Sequence, residues 1–352
     1  MEKLIDKIKE RVKEIEKKRL EEIKKERLEE IKKERLEEIE KERLEEIEKE
    51  RLEEIEKERL EEIEKEIEKE SYVMGNGYFY DFRKNVFTGE MDNKYISMFL
   101  EGDGSELVSK ACAPHSSSML GYNFFHWINE EHKLTITFND KKEITYDNVL
   151  FEVKIPVLNG KNKKEANMDI VLRNNKTGEW LFIESKFTEY LNRGKFEMSD
   201  SYRIESSYFK KDYGDKWTRI IDSISGSSKE SGYWAGIKQE ICHLIGLTNW
   251  LDKCVEIKDE EYNNEDVRFI NLVFEPDEER FKNEYDKFTD YKKLYYDFYE
   301  QLRIEKLIPS NLKMEFMTYK QLWKCFEKCD ELPEGLKDFL SNRYMCFAFK
   351  DK

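Results

Sequence analysis

Met168–Phe187 reads MDIVLRNNKTGEWLFIESKF, and the fold turns on how this stretch is read. Two apolar runs, Ile170–Leu172 and Trp180–Ile183, flank the turn-rich centre Asn174-Asn175-Lys176-Thr177-Gly178. β-Branched and aromatic residues on both sides of Asn and Gly predict a β-hairpin. A two- or four-residue loop centred on Lys176-Thr177 makes paired residue numbers sum to 353, which sets Asp169 across from Glu184. Lys186 lies two residues beyond Glu184, so both side chains leave one face of the strand. Three charged groups then converge beside apolar strands. Burying charge is costly without a partner or a metal, so the cluster calls for a chemical role.

Working outward, Val149–Val157 (VLFEVKIPV) predicts a flanking strand that carries Glu152 on the side opposite its apolar neighbours. Pro156 confines the end of that strand to an edge or an exit. Leu134–Phe138 alternates as a half-exposed strand does, and Val267–Phe274 (VRFINLVF) has the continuous apolar character of a strand inside a sheet. Tyr233–Leu251 predicts a helix with Ile237, Ile241, Leu244 and Ile245 on its buried face and Gln239 and His243 stacked at i,i+4 on another. Tyr78–Phe82 reads as a strand or an extended entry, Ser105–Ala113 as a short helix, and Met119–Glu131 as a helix led by an N-cap at His115–Ser118. Between Lys186 and Gly232, Ser223–Lys229 reads as a loop and a candidate flap. A long helix from Pro276 to about Leu302, a strand near Lys313–Met317, and helices near Tyr319–Lys328 and Glu334–Asn342 complete an α/β domain with a mixed sheet.

The 352 residues are unevenly composed. Residues 1–70 hold mostly Glu, Lys, Arg, Leu and Ile, with no Gly, Pro, Cys or aromatic residue. From Arg19 they repeat every eight residues, RLEEIKKE and then RLEEIEKE. This composition favours helix. Leu28, Ile31, Leu36, Ile39, Leu44 and Ile47 alternate at intervals of three and five, a mean of four against the 3.5 of a heptad seam. The apolar stripe therefore winds around the rod. A solvated single charged helix, loose self-association and a coiled coil all remain open, and none supplies chemistry. The division expected is a helical segment over 1–70 and a globular domain over 71–352, with its core at about 105–276 and a helical extension at 277–352.

The formal net charge of −15 argues against general affinity for polyanions, although a local basic cleft or a bound metal overrides net charge. The six cysteines show no disulfide-framework or C-x-x-C spacing. Cys325 and Cys329, four apart on an expected helix, read as packed thiols or as half a metal site. No secretory or membrane-spanning run stands out, so a cytoplasmic, reduced protein is expected.

At Met168-Asp169 and Ile183-Glu184-Ser185-Lys186, in their strand–turn–strand setting, the chain resembles the PD-(D/E)XK nuclease superfamily, with its restriction-endonuclease-like fold. The helix bearing Gln239 and His243 is similar to the Gln-x-x-x-Tyr helix of recombination-type exonucleases in that superfamily. Ser116-Ser117-Ser118 followed by Asn123-Phe124 looks like the lead-in of a little-characterised bacterial branch. Met168 stands in place of the namesake proline and His243 in place of the tyrosine. The family's N-terminal acid has Glu152 as first candidate and Glu130 as second.

The resemblance implies a metal-dependent nuclease acting on DNA. Asp169 and Glu184, with Glu152, would hold Mg²⁺ or Mn²⁺, and Lys186, Gln239 and His243 would be catalytic. A different class stays open: a non-catalytic scaffold in which a long helix tethers a degenerate nuclease-like domain.

Overall fold

A computed structural model describes residues 79, 81–102, 107, 110–191, 196–227, 235–255 and 267–345, together with Arg19, Arg27, Arg35, Arg43 and Arg51. The chain divides into two units, Met1–Lys69 and Glu70–Lys352. In the first, the five described arginines each open one of the eight-residue repeats, and all are helical and exposed. The rest of the expected long helix lies outside the described residues.

The second unit is a mixed α/β domain. Strands β1 (Leu134–Thr137) and β2 (Glu143–Tyr146) form an antiparallel hairpin. Strands β3 (Asn148–Leu158), β4 (Lys164–Arg173), β5 (Trp180–Lys186), β6 (Val267–Val273) and β7 (Leu312–Thr318) form a five-stranded sheet in that order. The β3–β4 and β4–β5 pairs are antiparallel; β5–β6 and β6–β7 are parallel. Its fifth strand is the one expected near Lys313–Met317, inside the stretch expected as a helical extension over 277–352.

Described helices are α1 (Asn93–Glu101), α2 (Ser117–Phe125), α3 (Lys211–Ser227), α4 (Ala235–Leu251), α5 (Lys282–Ile304), α6 (Tyr319–Glu327) and the short α7 (Leu336–Leu340). One face of the sheet carries α4 and α5, through contacts such as His243 with Phe269 and Tyr295 with Phe316. The other face carries α2 and the β1–β2 hairpin. There Arg268 of β6 is fully buried, lies over the Phe138 ring, and pairs with Asp140 (2.7 Å) and Glu315 (2.6 Å).

The decisive hairpin has the expected register. Ile170 pairs with Ile183 and Arg173 with Trp180. Asn174 N donates to Glu179 O (3.0 Å), which closes a four-residue loop centred on Lys176-Thr177. The Asn174 side chain accepts from the amides of Lys176 and Thr177, and Gly178 takes a positive φ of 77°. Those are the two tasks for which Asn and Gly are suited.

Several local expectations are corrected. Ser223 to Ser227 belong to α3 rather than to a loop. Trp217, Ile220, Ile221 and Ile224 make a buried stripe at helical spacing that outweighs the low helix propensity of the serines. Of the strand or extended entry expected over Tyr78–Phe82, Tyr78 and Tyr80 lie outside the described residues; Asp81 is extended and caps a 3₁₀ turn at Phe82–Asn85. The helix expected over Met119–Glu131 starts at Ser117, capped by Ser116, and ends at Phe125. Strand β2 was not anticipated, because its four residues include only one aliphatic side chain.

The strand carrying Glu152 is irregular at that residue. Phe151 packs against Phe99 and Tyr122, whereas Ile155, four residues on, lies where a Cβ on Gly246 of α4 would strike it. Residues four apart in a regular strand share a face, so the alternation reverses between them. Glu152 sits at the reversal with φ of 50°, a left-handed conformation uncommon outside glycine. The ladder pairs Phe151 with Ile170 and Val153 with Met168, and skips Glu152 opposite Asp169.

Candidate active site

The two strand pairs that flank Asp169 both open at that residue. The β4–β5 ladder stops at Ile170 and Ile183. Beyond it the Asp169 carboxylate takes over a role normally held by backbone: Oδ2 accepts from Ser185 N at 2.8 Å. Asp169 is thereby held in the gap between the strands, with Glu152 on β3 to one side and Glu184 on β5 to the other. Sequence register led to Asp169 and Glu184 and the family resemblance to Glu152, and the structure has the three on adjacent strands, β4, β5 and β3.

Glu184 is fully buried (0% exposed). Its Oε1 accepts from Lys186 Nζ, and the same ammonium donates to Gln239 Oε1 at 2.7 Å. Gln239 therefore meets Lys186 from α4, where helical spacing also places His243 one turn on. His243 Nε2 lies 2.9 Å from the carbonyl oxygen of Asn167, and Nδ1 lies 3.3 Å from Glu184 Oε2. The carbonyl can only accept, so Nε2 carries the proton and Nδ1 presents a lone pair. Among the described residues neither Nδ1 nor Oε2 has a hydrogen-bond partner.

Charge is expensive here. Burial, followed by the neighbouring Glu184 carboxylate, pushes Asp169 up to about 7. Burial also raises Glu184, against the pull of Lys186. For Lys186 burial acts downward, but the Glu184 and Asp169 carboxylates outweigh it and hold the ammonium above its usual range. Burial pushes His243 down to about 4, so the imidazole is neutral at physiological pH.

These groups suit a hard divalent cation in their chemistry. Two carboxylates repel one another, and two bare lone pairs, on Oε2 and Nδ1, face each other across 3.3 Å. A shared proton or a cation relieves that arrangement. Mg²⁺ needs only one or two carboxylates and keeps several waters. Among the described residues no group of three or more His, Cys, Asp or Glu is close enough to cage an ion. Glu152 lines the same cleft as Asp169 without joining such a cage.

That cleft has a volume of about 360 Å³, and its walls include Glu152, Asp169, Gln239, His243, Lys110 and Lys238. Glu130, the second candidate for the third acid, is exposed beyond α2 and is not among its walls.

Some participants had not been anticipated. Asn271, across the parallel ladder from Glu184, donates to Glu240 Oε1 (2.6 Å) and to Tyr291 OH (2.8 Å). Glu240 is fully buried, and burial holds its carboxyl well above the usual range. An Asn in the middle of VRFINLVF was the signal for this layer. On the opposite face Ser185 Oγ bonds Tyr319 OH (2.7 Å) and the Ser117 carbonyl (3.1 Å), which fixes the strand that presents Glu184 and Lys186.

The five described cysteines form no disulfide among the described residues, and Cys346 lies outside them. Cys325 and Cys329 take part in backbone contacts with Thr137 N and the Lys133 carbonyl respectively, each at 3.5 Å, which fits packed thiols. No helix among the described residues is long and apolar enough to cross a membrane.

No curated protein and no solved structure matches the chain. The family described as restriction endonuclease associating with ARP matches residues 48–345, which include every strand and helix of the second unit. The chain belongs to this family of restriction endonucleases associating with ARP, in keeping with the restriction-endonuclease-like resemblance of its central hairpin.

Proposed function

We propose that the protein is a divalent-metal-dependent nuclease that hydrolyses phosphodiester bonds in DNA, with its active site at Asp169, Glu184 and Lys186. The observation that carries the reading is that Asp169, in the wall of an open cleft and bonded to Ser185 N, interacts electrostatically with the buried Glu184–Lys186 pair on either side of that serine. Family membership supports nuclease chemistry.

In this reading Asp169 and Glu184 hold Mg²⁺ or Mn²⁺, and Glu152 adds a third carboxylate at the cleft wall. When bound, the ion lowers the pKa of a coordinated water and polarises the phosphate. Lys186 orients the attacking water and stabilises charge that develops on the phosphoryl oxygens. Gln239 holds the lysine ammonium in place from α4. His243, neutral and tied to the Asn167 carbonyl, presents Nδ1 beside Glu184 Oε2, where it can hold a water or the ion's hydration shell. Lys110 and Lys238 in the cleft wall supply local positive charge for a polyanion, against the acidic balance of the chain.

The lack of a three-ligand group among the described residues favours a second reading, a non-catalytic scaffold with a degenerate site. The Lys186–Glu184 ion pair weighs against it, since a degenerate site has no need to keep a buried lysine between two acids. Under either reading, association with ARP, as the family description has it, is the partner to test, along with self-association through residues 1–70.

Full-length protein incubated with plasmid and single-stranded DNA in Mg²⁺ or Mn²⁺ is expected to cut at least one of them, and chelation is expected to stop cutting. DNA left intact in both metals would favour the scaffold.

A further inference from the structure

A second cleft, of about 380 Å³, begins one residue past the catalytic lysine. Its size falls within the roughly 300–1,000 Å³ typical of small-molecule sites. Its walls are aromatic: Phe187 meets Phe274 edge to face at 4.7 Å and Tyr344 at 5.9 Å, and Phe281 stands at the entrance with 38% of its surface exposed.

The chain ties this cleft to Lys186. Phe187 follows Lys186 in the chain, and Phe274 N donates to the Lys186 carbonyl at 2.8 Å. The segment that sends Lys110 into the acidic cleft sends Pro114 and His115 into this one. The aromatic cleft therefore adjoins the carboxyl end of β5, the end of a strand at which α/β sheets commonly place ligands.

The polar groups select the occupant. Asp277 and Glu284 line the cleft, and Arg343 is already stacked over Phe79 and Tyr344 at 5.0 and 5.5 Å. Carboxylates at an aromatic wall disfavour a phosphate and accept hydrogen bonds from the amino groups of a nucleobase. Base faces stack on aromatic side chains whatever their sequence.

We propose that this cleft is a base-binding subsite, which takes one unpaired nucleobase of the strand whose phosphate lies at Lys186. The inference rests on the nuclease reading of the neighbouring cleft and specifies its substrate: DNA that is single-stranded, frayed or able to extrude a base. A base inside a duplex cannot enter without leaving its stack.

The test uses full-length protein under chelating conditions and a single-stranded oligonucleotide carrying 2-aminopurine, alongside the same sequence as a duplex. Wild type is expected to quench the single-stranded probe. Phe281→Ala is expected to weaken single-strand binding about fivefold or more, the lower end of what one base–aromatic stack contributes, and Phe281→Trp to restore it. Duplex affinity is expected to change less than about twofold, since phosphate contacts carry it. Phe281 is exposed, so its truncation spares the core, and an unchanged melting temperature checks this. Absence of quenching, or an equal loss for both probes, overturns the subsite. Metal-dependent cleavage that ignores Phe281 in single-strand binding sinks the subsite alone. Quenching that depends on Phe281 in a protein that cuts no DNA supports the subsite and sinks the nuclease reading.

Discussion

Asp169 carries a cost that only a bound cation or a proton removes, and His243 carries the opposite one. Asp169 is raised from its ordinary value to about 7, so between roughly pH 4 and 7 the folded metal-free protein holds a proton that the unfolded chain releases. Stability contributed by this group falls as pH rises through that window. His243 is lowered to about 4, so over much of the same window the unfolded chain holds the extra proton, and stability rises with pH. The two slopes oppose each other in the wild type. Chemical denaturation in chelator at pH 5 and pH 8 should therefore separate two variants. Asp169→Asn gains stability at pH 8 relative to wild type, by an amount on the order of 1 kcal/mol. His243→Gln shifts the pH slope in the other direction. Added Mg²⁺ should raise the melting temperature of wild type and leave Asp169→Asn unmoved, because ligand binding stabilises only the form that binds. Glu152 adds a backbone cost: its φ of 50° suits glycine, and the skipped ladder position beside Asp169 is where that strain is stored.

Elements succeed or fail here on how closely their backbones approach. At Gly246 of α4 an added Cβ would lie 2.6 Å from Ile155 Cγ2 and 3.2 Å from its Cβ, atoms fixed near the strand backbone. At Gly121 of α2 the 2.6 Å contact is with Ile170 Cδ1, the far end of a side chain that can turn away. Gly246→Ala should therefore cost about 1–3 kcal/mol in chemical denaturation, and Gly121→Ala less. Ile155→Val leaves the offending Cγ positions in place and should not rescue Gly246→Ala, whereas Ile155→Ala should recover part of the loss. The hairpin was legible because Asn174 and Gly178 state the turn and the apolar runs state the register. Helix α3 was not, because Ser and Gly at its end mask a stripe that only tertiary packing makes visible. The 3₁₀ turn at Phe82–Asn85 was not legible, because an aromatic run such as Tyr78–Phe82 looks the same whether its rings enter the core from a strand or from a turn. At the candidate site, spacing alone brought Asp169, Glu184 and Lys186 together, and Gln239 and His243 were added by the resemblance of their helix. The Asn271–Glu240–Tyr291 layer was not, since its members come from three elements brought together by the fold.

Across the whole molecule the charge balance and the proposed substrate pull in opposite directions. A chain of net charge −15 approaches DNA productively only where local positive charge outweighs the total, which directs attention to Lys110 and Lys238 in the cleft wall. Lys238→Glu should weaken DNA binding and flatten its dependence on salt, measured by titration at two ionic strengths, without lowering the melting temperature. In the eight-residue repeats Lys33, Glu37, Lys41 and Glu45 alternate in sign at i,i+4 spacing, which favours a solvated helix, and a monomeric mass unchanged on dilution is the expected result. Everything else depends on whether the three charges at the end of β5 act as one catalytic unit. The most direct measurement is the single-turnover rate of DNA cleavage in Mg²⁺ by wild type, Asp169→Ala and Lys186→Ala, each checked for folding. The account predicts measurable cleavage by wild type and a loss of about a hundredfold or more in either variant, the scale on which a transition-state contact is lost. Equal rates in all three proteins would contradict it.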